Sequence, residues 1–116
     1  LYSIIAALHD SNCFSSVQVI EFIDEESVKL LKIRATLTDK SLLYIMELAT
    51  YDYQKYSYHW QKENGELIIR WDNKPHWKNI STFPHHRHDG ENVLPSVRVS
   101  IEDVIKEINM RLEQTK

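Results

Sequence analysis

Two glycines, three prolines and one cysteine are all that the 116 residues contain of these types. So little glycine and proline leaves no flexible linker on which to divide the chain, and a single domain spanning 1–116 is expected. The lone Cys13 has no partner for an internal disulfide. That fits a reducing cytoplasm, with the thiol acting as a small buried hydrophobe. No apolar run approaches the ~18–20 residues needed to cross a bilayer, and no signal-peptide pattern occurs, so a cytoplasmic protein without a membrane partner is expected. The chain opens at Leu1 rather than methionine, and a short preceding segment is expected. No glycine-rich phosphate loop is present, which sets nucleotidyl transfer aside. A net charge of −3 argues against a protein that coats nucleic acid non-specifically.

What is there is unevenly spread. Five of the six histidines and all three tryptophans fall between Tyr56 and His88. The same stretch carries Lys62, Arg70, Lys74, Lys78 and Arg87 against Glu63, Glu66 and Asp72, a local excess of +2 that leaves −5 for the remainder. An anionic ligand therefore fits this stretch. Asp24, Glu25, Glu26, Glu102, Glu107 and Glu113 fit either a docking face for a basic partner or ordinary solvated surface.

Periodicity places this stretch in a fold. Leu1, Ile4, Ile5 and Leu8 form a helical stripe. Residues 17–23, 28–38 and 42–50 read as strands, with turns at Asp24–Glu26, Asp39-Lys40 and 51–54. Asn64-Gly65 is a favoured pair for a two-residue type I′ hairpin, joining 56–62 to 67–73. With that loop, opposed residues sum to 129. Tyr58 then faces Trp71 and Trp60 faces Ile69 on a core side, while Ser57 faces Asp72 and His59 faces Arg70 on a polar side. Residues 74–94 show no periodicity and read as a long loop ending at Asp89-Gly90. Ser100 and Asp103 form an acidic variant of a capping box before the stripe Ile101, Val104, Ile105, Ile108, Leu112. The expected fold is α+β: a five-stranded antiparallel sheet with an N-terminal and a C-terminal helix packed on one face.

The polar side of this hairpin has the vocabulary of phosphodiester cleavage. Histidine exchanges protons near neutral pH, and arginine is a forked, permanent cation. His59 and Arg70 oppose each other, and the loop is long enough to bring His76, His85, His86 and His88 to them. One imidazole takes the 2′-hydroxyl proton, another protonates the leaving 5′-oxygen, and the guanidinium steadies the phosphorane-like transition state. Ser57, Gln61, Asp72, Trp77 and Arg87 are the candidate substrate-binding residues, with Trp77 able to stack a base. His85-His86-x-His88 also suggests a metal. On an extended chain His86 and His88 share a face that His85 does not, and His76 and Asp72 would complete a set. With one cysteine the usual structural zinc site is absent, and the expectation is a site with neither metal nor cofactor.

Three strings in order, Tyr56-Ser57-Tyr58-His59-Trp60-Gln61, Arg70-Trp71-Asp72-Asn73-x-Pro75-His76 and Thr82-Phe83-Pro84-His85-His86-Arg87-His88, resemble the TumE family. The turn Arg34–Asp39, the Asn64-Gly65 hairpin and the C-terminal helix extend the resemblance over nearly the whole chain. It implies a small toxin of a bacterial toxin–antitoxin module, restrained by a partner antitoxin with a helix-turn-helix DNA-binding domain. The chain departs from the family at one point: where two histidines often follow the proline, Trp77 follows His76. Lysine is also common where Arg87 stands. The resemblance does not name a reaction. A metal-independent endoribonuclease acting on RNA follows from the histidine and arginine chemistry. The alternative is a non-catalytic protein that blocks a cellular target or acts as an antitoxin-linked regulator.

Overall fold

A computed structural model describes residues 1–114. Helix α1 (Tyr2–Asp10) leads into seven strands: β1 (Phe14–Asp24), β2 (Val28–Leu37), β3 (Leu42–Thr50), β4 (Gln54–Gln61), β5 (Leu67–Asp72), β6 (His86–Asp89) and β7 (Asn92–Pro95). Helix α2 (Ile101–Gln114) follows them. The strands form one antiparallel sheet in sequence order. Ile4 and Leu8 of α1 and Ile101, Val104 and Ile108 of α2 join Leu31, Ile33, Leu43, Ile45, Tyr58, Trp60, Ile69 and Trp71 in one core. Both helices therefore cover the same side of the sheet, and its other side holds the polar residues of β4 and β5. Cys13 is buried and shares a hydrogen bond with the Ser11 hydroxyl. No helix among the described residues is long and apolar enough to cross a membrane.

The sheet has seven strands, not five. β6 and all but the last residue of β7 lie inside the stretch expected to be a loop, and that expectation failed for a definable reason. His-Arg-His-Asp offers no alternation of apolar with polar residues. Its alternation is between two polar faces, each turned toward distant charged partners. Arg87 and Asp89 point toward α2, where Arg87 lies 3.9 Å from Glu107 and Arg111 forks onto both oxygens of Asp89. His86 and His88 point the other way, toward Asp72. The turn at Gly90, with φ 60°, is the tip of the β6–β7 hairpin rather than the end of a loop. Pro95 sits on the edge strand, where its missing N–H breaks no ladder.

The β4–β5 register agrees with the expected sum, but the turn does not. The Gly65 N–H donates to Lys62 O and the Lys62 N–H to Glu66 O, which encloses a three-residue loop with Gly65 at φ 94°. Asn64 is not left-handed, so this is a type I turn with a glycine bulge rather than type I′. The longer loop shifts Gln61 opposite Leu67, and an extra residue at Ile68 restores the register from Trp60–Ile69 onward. His59 opposite Arg70 therefore holds because two irregularities cancel.

At the start of α2 the capping box is present in full. The Ser100 hydroxyl accepts from the Asp103 N–H at 3.1 Å, and the Asp103 carboxylate accepts from the Ser100 N–H at 3.0 Å. Ser100→Ala should cost about 1 kcal/mol of stability, the usual worth of such a cap. A denaturant melt with an unchanged midpoint would show that α2 does not depend on this cap.

Candidate functional site

Three neighbouring strands carry a row of chemistry across the face turned away from the helices. Arg70 of β5 pairs with His59 of β4 on one side and with His88 of β6 on the other. Two residues along, Asp72 sits between Ser57 and His86 in the same way. Each position in a row faces the same side because the side-chain period of a strand is two. With strands about 4.8 Å apart, His59 and His88 lie on the order of 10 Å from each other at the backbone, with the guanidinium between them.

The hydrogen bonds fix the resting state of His59. Arg70 Nη1 donates to His59 Nδ1 at 3.1 Å, since a guanidinium only donates. Nε2 therefore carries the ring proton and donates to Gln61 Oε1 at 3.1 Å. Partial burial, and then the adjacent Arg70 charge, hold the His59 pKa below the usual histidine value, against a smaller opposing effect of Gln61. Arg70 is held from behind, its Nε donating to Asp72 Oδ2 at 2.9 Å. Asp72 is 2% exposed. Burial alone would raise its pKa, but the Lys74 N–H, Arg70 and the nearby His86 outweigh it and keep the carboxyl below its usual range. The residue is thus a fixed anion that orients its neighbours.

His86 is equally buried, at 2%. Its Nδ1 lies 3.1 Å from the carbonyl of Pro84 and must donate to it. Its Nε2 faces both Asp72 Oδ1 and His88 Nε2 at 3.1 Å. Burial, and the charges of His86, Arg70 and Lys74, lower the His88 pKa, with Asp72 opposing them. Trp77 brings the intervening loop over this end of the site, with its ring edge-on to both His86 and His88. A hollow of about 400 Å³ is walled by Asp72, His76, Trp77, His86, His88 and Arg70. A second of about 520 Å³ lies on the His59 side, walled by Ser57, His59, Gln61, Tyr44, Arg34 and again Arg70. Arg70 is the wall they share. Larger hollows beside the helices have no histidine in their walls.

Of the residues singled out from the sequence, the structure gathers His59, Arg70, His86, His88, Ser57, Gln61 and Asp72 on one face, with His76 and Trp77 at its rim. It does not gather two of them. Arg87 points to the helix side, and its Nε is buried with no hydrogen-bond partner among the described residues. His85 stacks on Tyr56, whose hydroxyl lies 2.9 Å from His85 Nδ1. That contact belongs to a cluster on the core side, where Arg98 lies 4.2 Å from the Tyr56 ring centre and, with Tyr58, hydrogen-bonds Glu47. Burial, then Arg98, lowers the His85 pKa.

Sequence reading missed Tyr44 and Arg34, which extend the row beyond His59. Arg34 pairs with Tyr44 and Tyr44 with His59, whose ring the Tyr44 ring meets edge-on at 6.2 Å. The signal was available for Tyr44 alone. Tyr51-Asp52 counted as the pivot of a hairpin pairs Tyr44 with His59. Asp39-Lys40 counted the same way pairs Arg34 with Ile45, because the loop there has three residues, 38–40, rather than two.

No curated protein and no solved structure gives a significant match to the chain. A family model does match: that of Toxin TumE, over residues 4–112. The match spans the sheet, both sides of the histidine row and nearly all of α2, so this chain belongs to the TumE family of toxins.

Proposed function

We propose that this toxin is an endoribonuclease that cleaves RNA without a metal, using His59, Arg70 and His88. The observation that supports this reading is the row itself: two imidazoles flanking one guanidinium across three adjacent strands. The scissile phosphate docks on Arg70, and the flanking nucleotides enter the two hollows that Arg70 separates. Docking draws the Arg70 fork from His59 Nδ1 to the phosphate. The freed lone pair takes the proton of the 2′-hydroxyl, whose oxygen attacks phosphorus. His88 gives a proton to the departing 5′-oxygen as the P–O bond breaks. The products are a 2′,3′-cyclic phosphate and a 5′-hydroxyl, and no other reactant is consumed.

The remaining residues support these steps. Gln61 fixes the His59 tautomer and Asp72 fixes the angle of Arg70. Ser57 offers a hydroxyl in the wall of the His59-side hollow. Trp77, 43% exposed at the lip of the other hollow, offers a ring on which a base can stack, with His76 beside it. Acting on RNA, the toxin works in the cytoplasm. Family membership implies a restraining antitoxin, and a helix-turn-helix protein is the partner proposed.

Incubating end-labelled RNA with metal-stripped protein tests the reading. The expected products carry 2′,3′-cyclic phosphate and 5′-hydroxyl ends. Intact RNA at high enzyme excess would overturn it. The exposure of Trp77 favours the second reading, a toxin that only binds its target. In that case Trp77→Ala removes toxicity and the histidine variants do not.

A further inference from the structure

Asp72, His86 and His88 lie at the Trp77 end of the face, and their geometry is more demanding than acid–base chemistry requires. His86 Nδ1 is committed as a donor to the Pro84 carbonyl, so Nε2 is the atom it presents inward. There it meets Asp72 Oδ1 and His88 Nε2, each at 3.1 Å, while His88 Nε2 lies 3.7 Å from Asp72 Oδ2. Three electron-pair donors converge, two of them on residues only 2% exposed. A proton on His86 can satisfy one contact at a time. A cation between them satisfies all three.

We infer that Asp72, His86 and His88 form a binding site for one divalent transition-metal ion of the zinc type. Zinc–nitrogen bonds of 2.0–2.1 Å at tetrahedral angles place ligand atoms about 3.3 Å apart. The two separations from His86 Nε2, 3.1 Å to Asp72 Oδ1 and 3.1 Å to His88 Nε2, lie close to that value. His88 Nε2 stands 3.7 Å from the other carboxylate oxygen, and one ligand atom from each residue falls within 4.8 Å of the others. The surrounding contacts match as well. Ligating histidines donate their other ring N–H to a carbonyl, and ligating carboxylates accept outer hydrogen bonds. His86 does the first through Pro84, and Asp72 the second through the Lys74 N–H and Arg70. Two nitrogens and one oxygen suit zinc over calcium or magnesium, which prefer all-oxygen shells. A fourth position opens into the hollow beneath Trp77, where water can complete the tetrahedron.

The site overlaps the proposed catalytic row at His88, so its effect on cleavage rests on that reading while the binding itself does not. The test is a calorimetric titration of tag-free, metal-stripped protein with zinc chloride, repeated with cobalt(II) and its visible absorption. One ion per chain is expected. His88→Gln should weaken binding by tenfold or more, as should His86→Gln, whereas His85→Ala on the opposite face should not. Circular dichroism of each variant establishes that it folds, and His88, the more exposed ligand, keeps the test valid should His86→Gln unfold. Absence of stoichiometric binding by the parent, or equal binding by a folded His88→Gln, overturns the site. The same samples separate the two proposals. Cleavage by the metal-stripped parent that falls as zinc saturates upholds both. Cleavage that appears only on adding metal upholds the ion site and overturns the metal-free mechanism.

Discussion

His59→Ala lowers RNA cleavage by about 10²–10⁴-fold, the range a positioned acid–base group contributes, and removes toxicity with it. The fold survives because the ring lies on the open face, its contacts being Arg70, Gln61 and the edge of Tyr44 rather than the core. Circular dichroism and a thermal melt close to the parent's, with antitoxin binding retained, are expected alongside the loss. The parent's pH profile supplies a second measure. His59 must be neutral to take a proton, and burial together with Arg70 lowers its pKa from 6.5. The acidic limb of kcat/KM therefore lies below pH 6.5, and activity is sustained at pH values where an ordinary histidine would already be half protonated. A folded His59→Ala protein that cleaves and kills at the parent's rate would remove His59 from the mechanism.

How much of this was legible follows from which interactions each element depends on. α2, β3 and the β4–β5 pair could be read because a local pattern specifies them: a cap and apolar stripe in one case, alternation about a glycine turn in the other. β6 could not. Its four residues are all polar or charged, and it becomes a strand because β5 offers an edge and because Asp72, Glu107 and Arg111 stand as opposite charges or hydrogen-bond partners beside its side chains. The candidate site divides along the same line. His59 opposite Arg70 was read from a two-residue turn that does not form, and the pairing holds because the longer loop is offset by the extra residue at Ile68. The separation of His85 and Arg87 from His86 and His88 required knowing that residues 86–89 are extended, and from which side α2 approaches. Trp77 over His86 and His88 belongs to a loop whose path no periodicity encodes. The sequence put His86 and His88 on one face, with His76 and Asp72 as the residues that would complete a set. Only the fold gives the separations on which a metal ion is argued.

Arg70 is the residue through which the two halves of the site communicate, and two substitutions there separate its charge from its shape. Arg70→Lys keeps the charge, but a single ammonium cannot reproduce the fork that reaches Asp72 through Nε and His59 through Nη1. Removal of one preorganised donor to a developing oxyanion commonly costs about 10²–10³ in kcat, and a loss of that order is expected even though the charge remains. Arg70→Gln removes the charge as well and should cost at least as much. It also removes one of the two causes that depress the His59 pKa, leaving burial. The acidic limb of the residual activity should therefore move up toward 6.5 in Arg70→Gln and stay near the parent's position in Arg70→Lys. Asp72 retains the Lys74 N–H and its contact with His86 in both variants, so melting temperatures should fall only modestly. Full cleavage by Arg70→Lys would show that charge alone suffices at this position. A limb that stays put in Arg70→Gln would mean that the titrating base is not His59, whose pKa the Arg70 charge lowers.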